Sequence, residues 1–180
     1  MDLISYLSHW DAAMVAPLYP ENYSAYLPLN RSRFNRIYKQ FTPSALFIKR
    51  ALQIKQETKW IIITEPWCGD AAQNVPILLK LIETIPNAKV HIELRDQSEL
   101  IEQYLTNGGR SIPKLIIKDK NGHDLLMWGP RPAAAQTLFK TLKAEGTELT
   151  ALQKSLHGWY AENAGEAVQE EIYQLILGLT

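Results

Sequence analysis

Cysteine is almost missing from this chain of 180 residues: Cys68 stands alone. A single thiol excludes an internal disulfide framework and fits a reducing compartment. An excess of one charge is missing too. Nineteen Lys and Arg balance nineteen Asp and Glu, for a formal net charge of zero, and the two signs are interspersed. No basic field invites nucleic acid, and no acidic run forms a solvating tail. No apolar run approaches a membrane span, and Met1-Asp2-Leu3-Ile4-Ser5 lacks the basic start and apolar run of a secretory signal. Cytoplasm is therefore the default location, with no membrane partner. A zinc site lacks its ligand spacing, because His9, His91, His123 and His157 are scattered without Cys or carboxylate neighbours at suitable intervals. Gly108-Gly109 lacks the strand and the Lys-Ser/Thr ending of a phosphate loop. No metal or cofactor is expected. Repeats and low-complexity stretches are absent as well.

What is present centres on residues 60–76. Trp60, Ile61, Ile62, Ile63 and Thr64 have the length and β-branched chemistry of a buried strand. Glu65 and Pro66 stop it, and Trp67-Cys68-Gly69-Asp70 turn the chain into a helix whose apolar stripe is Val75, Leu78, Leu79 and Ile82. Cys68 thus falls where a strand ends and a helix begins. The first helical turn offers unpaired N–H groups and partial positive charge. A thiolate there is favoured, so the spacing predicts a pKa below the free-cysteine value of about 8.5. Gly69 permits close approach of the backbone, and Asp70 caps or begins the helix, its carboxylate turned toward backbone N–H groups. Like-charge repulsion from Asp70 opposes the thiolate. The bland alternative is a small buried hydrophobe.

Around this stretch the chain reads as follows. Leu3, Ile4, Leu7 and Trp10 fit a short helix, and the passage with Pro17, Tyr19, Pro20, Tyr23, Tyr26 and Pro28 reads as loop or broken helix. Its tyrosines are read as packing, with a binding surface as the alternative. Phe34, Ile37, Tyr38 and Phe41 share a helical face, and Thr42-Pro43 starts the next helix. Residues 89–94 alternate as a half-buried strand. Asp96 or Ser98 then caps a short helix running to Leu105 and ending at Asn107-Gly108-Gly109. Strands at 114–118 and 124–128 flank the hairpin turn Asp119-Lys120-Asn121-Gly122. Helices follow over 132–144, from Thr147 or Thr150 to Trp159, and over 165–177, with Glu162, Glu166, Glu170 and Glu171 as a solvated face. Strand, helix, strand, helix, hairpin, helix gives a parallel pair joined by a right-handed crossover plus antiparallel strands. The expected fold class is α/β: a mixed four-stranded sheet with helices on both faces. One domain of 180 residues is expected, its core at about 59–146, with helical extensions at 1–57 and 147–180.

Several residues carry a resemblance. Trp67-Cys68-Gly69 after a strand, Ile112-Pro113 before a strand, Asn121-Gly122 in a hairpin and Gly129 before the closing helix resemble a thioredoxin-like protein. Residues 64–70 and 128–132 resemble a bacterial thioredoxin-family group with helical extensions. The resemblance implies a three-layer sandwich, Cys68 as the nucleophile, and Pro113 as a cis proline facing it. It also implies that the loop at Ile112 and Pro113, together with Trp67, Gly69 and Asp70, binds a partner: a thiol- or disulfide-bearing protein, or a small thiol such as glutathione. Arg110 lies near enough in sequence to reach a carboxylate beside that loop.

Two departures limit the resemblance. The resolving cysteine's position holds Ala71, so an outside thiol must clear any adduct on Cys68. The buried carboxylate under the site is replaced by Ile62, with Glu65 as the nearest substitute. Three functions stay open: monothiol reductase or deglutathionylating chemistry, a redox-inactive binding module in the same groove, and a thiol-based sensor of oxidative stress. An iron–sulfur cluster shared with glutathione needs a dimer and extra thiols, and fits less well.

Overall fold

The computed structural model describes residues 1–179. Its central strand is β1 (Thr58–Thr64). Trp60, Ile61, Ile62 and Ile63 are all buried. Successive side chains point to opposite faces, so both faces of the sheet are covered, as a continuous apolar strand requires. Strand β2 (Ala88–Leu94) pairs with β1 in parallel, Ile62 opposite Ile92. On the other side β3 (Lys114–Asp119) runs antiparallel to β1, and β4 (Asp124–Trp128) antiparallel to β3. The order is β2-β1-β3-β4, the mixed four-stranded sheet expected from the sequence. Asp119 Oδ1 holds the hairpin by accepting from the backbone N–H of Asn121 and His123.

The helices are α1 (Leu3–Val15), α2 (Glu21–Ser24), α3 (Leu27–Gln40), α4 (Ala45–Ala51), α5 (Gly69–Ile82), α6 (Ala133–Ala144), α7 (Leu149–Asn163) and α8 (Glu166–Ile176). Among the described residues none is long and apolar enough to cross a membrane. Tyr6 and Trp10 of α1 meet Phe34 of α3 in edge-on and tilted contacts, and all three belong to the apolar cluster that contains β1 and α5. A smaller cluster joins α6 to α7 through Ala135, Leu152, Leu156 and Tyr160. Helix α8 is tied down at its end by Arg50, whose Nη2 donates to the carbonyls of Ile176, Leu177 and Leu179.

The tyrosine- and proline-rich passage is the broken helix that its prolines allowed: α2 is a single turn, Ala25 and Tyr26 form a turn, and α3 starts at Leu27 with Pro28 in its first turn, where a missing N–H does no harm. Three local expectations need correction. The cap of α4 is Ser44 rather than Thr42, for Ser44 Oγ accepts from Phe47 N at 3.2 Å. The helix expected after Asp96 is two 3₁₀ turns, Arg95–Gln97 and Leu100–Gln103. Asp96 N is taken by the Glu65 carboxylate at 2.8 Å, and Leu105 is exposed, so no apolar face extends the helix. Finally, Glu171 is no solvated residue. Its carboxylate accepts from Trp128 Nε1 at 2.6 Å and from Ala133 N at 2.7 Å, pinning α8 to the link between β4 and α6.

That link also touches the loop before β3. Both Ile112-Pro113 and Gly129-Pro130 are cis peptides, and Gly129 has φ +110°. A Cβ at Gly129 would lie 2.3 Å from the Pro113 carbonyl oxygen. Gly122, with φ +89°, has open space where its Cβ would be. Gly129→Ala should therefore cost about 2–4 kcal/mol, backbone strain plus a clash, against about 1–2 kcal/mol for Gly122→Ala, which meets strain alone. Urea unfolding of the two variants measures the difference; equal losses would mean that the Gly129–Pro113 contact constrains nothing.

Candidate functional site

Cys68 is the residue that immediately precedes α5, with extended φ −78° and ψ 119°. Its N–H donates to the Glu65 carbonyl at 3.2 Å, and its own carbonyl accepts from Ala72 N at 3.0 Å. The strand stop and the helix start are thus joined through one residue. The sulfur lies 3.4 Å from the Ile112 carbonyl oxygen, to which the S–H donates. Cys68 therefore stands beside the cis Ile112-Pro113 bond, as the thioredoxin-like resemblance implied.

Its acidity does not follow expectation. Only 9% of Cys68 is exposed. Burial, then the Asp70 carboxylate, push the thiol up to about 12. The N–H groups of Ala71 and Asp70 and the guanidinium of Arg131 pull the other way and lose. The helix start acts in the predicted direction, but desolvation is the larger effect. The S–H bond to the carbonyl further favours the protonated form.

Asp70 begins α5 as expected, yet its carboxylate turns away from the backbone. It pairs with Arg131 at 2.6 Å and accepts from Tyr160 OH at 2.9 Å. Both partners of the ion pair are largely enclosed, 14% exposed at Asp70 and 16% at Arg131. Asn74 donates to Tyr160 OH at 3.1 Å, and the Arg131 guanidinium lies 4.1 Å from the centre of the Phe139 ring. Arg110 pairs instead with Glu102 at 3.0 Å. Glu65 is fully buried and held above its ordinary range by burial. It accepts from Tyr19 OH at 2.7 Å, and that hydroxyl lies 2.8 Å from His9 Nε2. Its other carboxylate oxygen accepts from Asp96 N, so the group bridges the N-terminal region and the segment after β2.

Above the sulfur is a cavity of about 710 Å³, walled by α2, α3 and α7 and floored by Trp67, Cys68 and Gly69. Tyr23 stacks on Trp67 with ring centres 4.3 Å apart and planes 10° from parallel. Asn30 Nδ2 donates to the carbonyls of Pro66 and Trp67, which fixes the turn before Cys68. Arg33 donates to Asn30 Oδ1 at 3.0 Å. From α7, the His157 ring approaches to 3.2 Å of where a Gly69 Cβ would sit, so glycine makes room for it. Gln73 Nε2 donates to His157 Nδ1 at 3.0 Å, leaving the ring proton on Nε2. Burial, with Arg33 nearby, pushes this imidazole down to about 4, so it is neutral at pH 7.

The expected site residues divide around the sulfur. Trp67 and Gly69 share the cavity with Cys68; Asp70 lies beside a smaller one with Arg131; Ile112 and Pro113 are buried and line neither, the Ile112 carbonyl lying against the sulfur. Sequence reasoning missed Arg33, Lys154 and His157, which only the tertiary fold brings over Cys68. Arg131 carried a signal, since it sits within residues 128–132, part of the thioredoxin-like resemblance.

A family model described as thioredoxin matches residues 17–143. The chain belongs to the thioredoxin family. No curated protein matches it. Among solved structures it is similar to a protein of unknown function from Pseudomonas aeruginosa, with TM-score 0.61 and 16% identity, covering 87% of this chain and 92% of that one. It is also similar to an HIV epitope scaffold, with TM-score 0.62 and 17% identity, covering 99% and 93%. At such identities the two structures bear on the thioredoxin fold alone.

Iodoacetamide alkylation of Cys68 reads the enclosed thiol directly. The rate should rise about tenfold per pH unit from pH 7 to pH 11 without a plateau, because only the thiolate reacts. Asp70→Asn should raise the rate at pH 8 by about tenfold, by removing the like charge and freeing Arg131. A plateau below pH 9 in the parent protein would mean an acidic sulfur open to water, the opposite of an enclosed thiol.

Proposed function

We propose that this thioredoxin-family protein exchanges disulfides through Cys68 alone, on substrates first bound in the cavity above it. The observation that carries the reading is the sulfur's position, at the floor of a cavity large enough for a small thiol and beside the cis Ile112-Pro113 loop. The Cys68 thiolate attacks the small-thiol sulfur of a mixed disulfide, forming a bond to that sulfur while the target's thiolate leaves and takes up a proton. A second small thiolate then attacks the same sulfur of the Cys68 adduct. The small disulfide departs, and Cys68 is regenerated and reprotonated. The net reaction consumes one free small thiol: the mixed disulfide and that thiol become the target thiol and the small disulfide. Ala71 supplies no internal resolving step, so the outside thiol is obligatory.

Magnitudes decide whether a thiol held near 12 can serve. At pH 7 it is ionised to about one part in 10⁵. A more basic thiolate is intrinsically more nucleophilic, which returns about two powers of ten over five pKa units. The remaining deficit of about 10³ lies within the advantage of a bound, aligned substrate, about 10⁵–10⁸ M in effective molarity. Bound substrates therefore react and free oxidants react slowly. That disfavours the sensor, which needs an accessible, acidic thiol.

A second reading, binding without turnover, is favoured by the same raised thiol. Reduction of a glutathionylated peptide by glutathione, with intact-mass detection of the Cys68 adduct, separates the two. Exchange predicts an adduct in the parent protein, turnover, and loss of both in Cys68→Ser. No adduct and no turnover, with ligand binding equal in both proteins, would leave the binding module.

A further inference from the structure

We propose that the cavity over Cys68 selects small thiols and disulfides that carry carboxylates, held by Arg33 and Lys154 with His157 Nε2–H as a third donor. The inference rests on the exchange reading for its chemistry but not for its charge selection.

The lining is one-sided. Arg33, Lys154 and His157 face the cavity, and among the described residues none that lines it is acidic. This stands out in a chain whose charges balance overall. Several other arginines have carboxylate partners, Arg31 with Asp11, Arg95 with Asp96 and Arg131 with Asp70, while the exposed Arg36 near Arg33 has none among the described residues. Arg33 is half-buried, and among the described residues its guanidinium has no carboxylate partner. Burial, with Arg36 nearby, works against its charge and pulls it below its ordinary value. A partly desolvated guanidinium without a counter-ion is costly, and a ligand carboxylate would offset that cost with paired hydrogen bonds. Lys154 is exposed and likewise unpaired among the described residues, a second point charge for a flexible ligand. His157 is fixed as a neutral donor by Gln73, so it adds a hydrogen bond without a charge. Trp67 and Tyr23 supply an apolar wall beside these polar groups. A volume of about 710 Å³ lies within the roughly 300–1,000 Å³ of small-molecule sites.

Which small thiol enters is then a matter of charge. Glutathione disulfide carries four carboxylates, hydroxyethyl disulfide none, and cystamine carries amines. The rate of Cys68 adduct formation with each, divided by the rate of an unstructured cysteine peptide, should fall in that order. In the double variant Arg33→Gln/Lys154→Gln, the ratio of the glutathione disulfide rate to the hydroxyethyl disulfide rate should fall at least tenfold. Arg33→Lys/Lys154→Arg, which keeps both charges, should restore most of it. A ratio unchanged by the charge removal, or cystamine reacting fastest, overturns the proposal. Calorimetric binding of glutathione disulfide to Cys68→Ser, with and without the two Gln substitutions, reads selection with no covalent step. A dissociation constant weakened at least tenfold by the Gln pair supports the proposal even where no adduct forms and the exchange reading has failed. Equal constants, or no binding, reject the selection whatever Cys68 does.

Discussion

A sulfur at the first turn of a helix is acidic only when its charge can be solvated, by water or by a cation aimed at it. At Cys68 neither condition is met. The sulfur is nearly enclosed, its S–H donates to the Ile112 carbonyl, and Arg131, the guanidinium that pulls its acidity the other way, is already committed to Asp70. The helix dipole contributes about 0.3–1 kcal/mol at an exposed terminus, whereas desolvation of a buried ionisable group moves its pKa by as much as 3–5 units. The larger effect decides the protonation state. The same local sequence left open to water would give a different reagent.

This ordering of effects also explains what the sequence could and could not convey. The strand at Trp60–Thr64 and the hairpin at Asn121-Gly122 are local signatures, each written in a few adjacent residues, whereas the cis peptide at Pro113 was expected only through the thioredoxin-like resemblance. Their tertiary consequence, the order β2-β1-β3-β4, follows from chain-connection rules. The acidity of Cys68 is not local. It depends on how closely helices more than thirty residues away in both directions pack over residues 66–70, and no pattern within those residues encodes that. Asp70 illustrates the same point. Capping statistics turn its carboxylate to the backbone, but Arg131 and Tyr160, sixty-one and ninety residues on, outcompete the amides with a charge and a hydroxyl. Arg33 and His157 were silent for the same reason: a lone cation and a lone imidazole look like surface residues until the fold sets them over one cavity.

The extensions are therefore part of the site. Asn30 of α3 holds the two carbonyls that precede Cys68. Tyr160 and His157 of α7 reach the first turn of α5 through Asp70 and Gln73. Glu171 of α8 ties Trp128 and Ala133, on either side of the cis Gly129-Pro130 link that abuts Pro113. Each contact joins a terminal helix to a residue at, or one step from, the sulfur or its facing loop. In the sandwich alone the junction at Cys68 would face solvent on the cavity side, because the walls there come from α2, α3 and α7. The sheet and α5 place the thiol; the added helices wall the cavity above it and add to the burial that holds its proton. Here Ala71 stands where a second sulfur would resolve an adduct, and the first sulfur is covered. On the exchange reading proposed above, breadth and speed would both be reduced, and recognition would pass to the walls of the cavity. A sulfur that reacts only with what those walls admit does not need an internal partner to escape every stray disulfide it would otherwise capture.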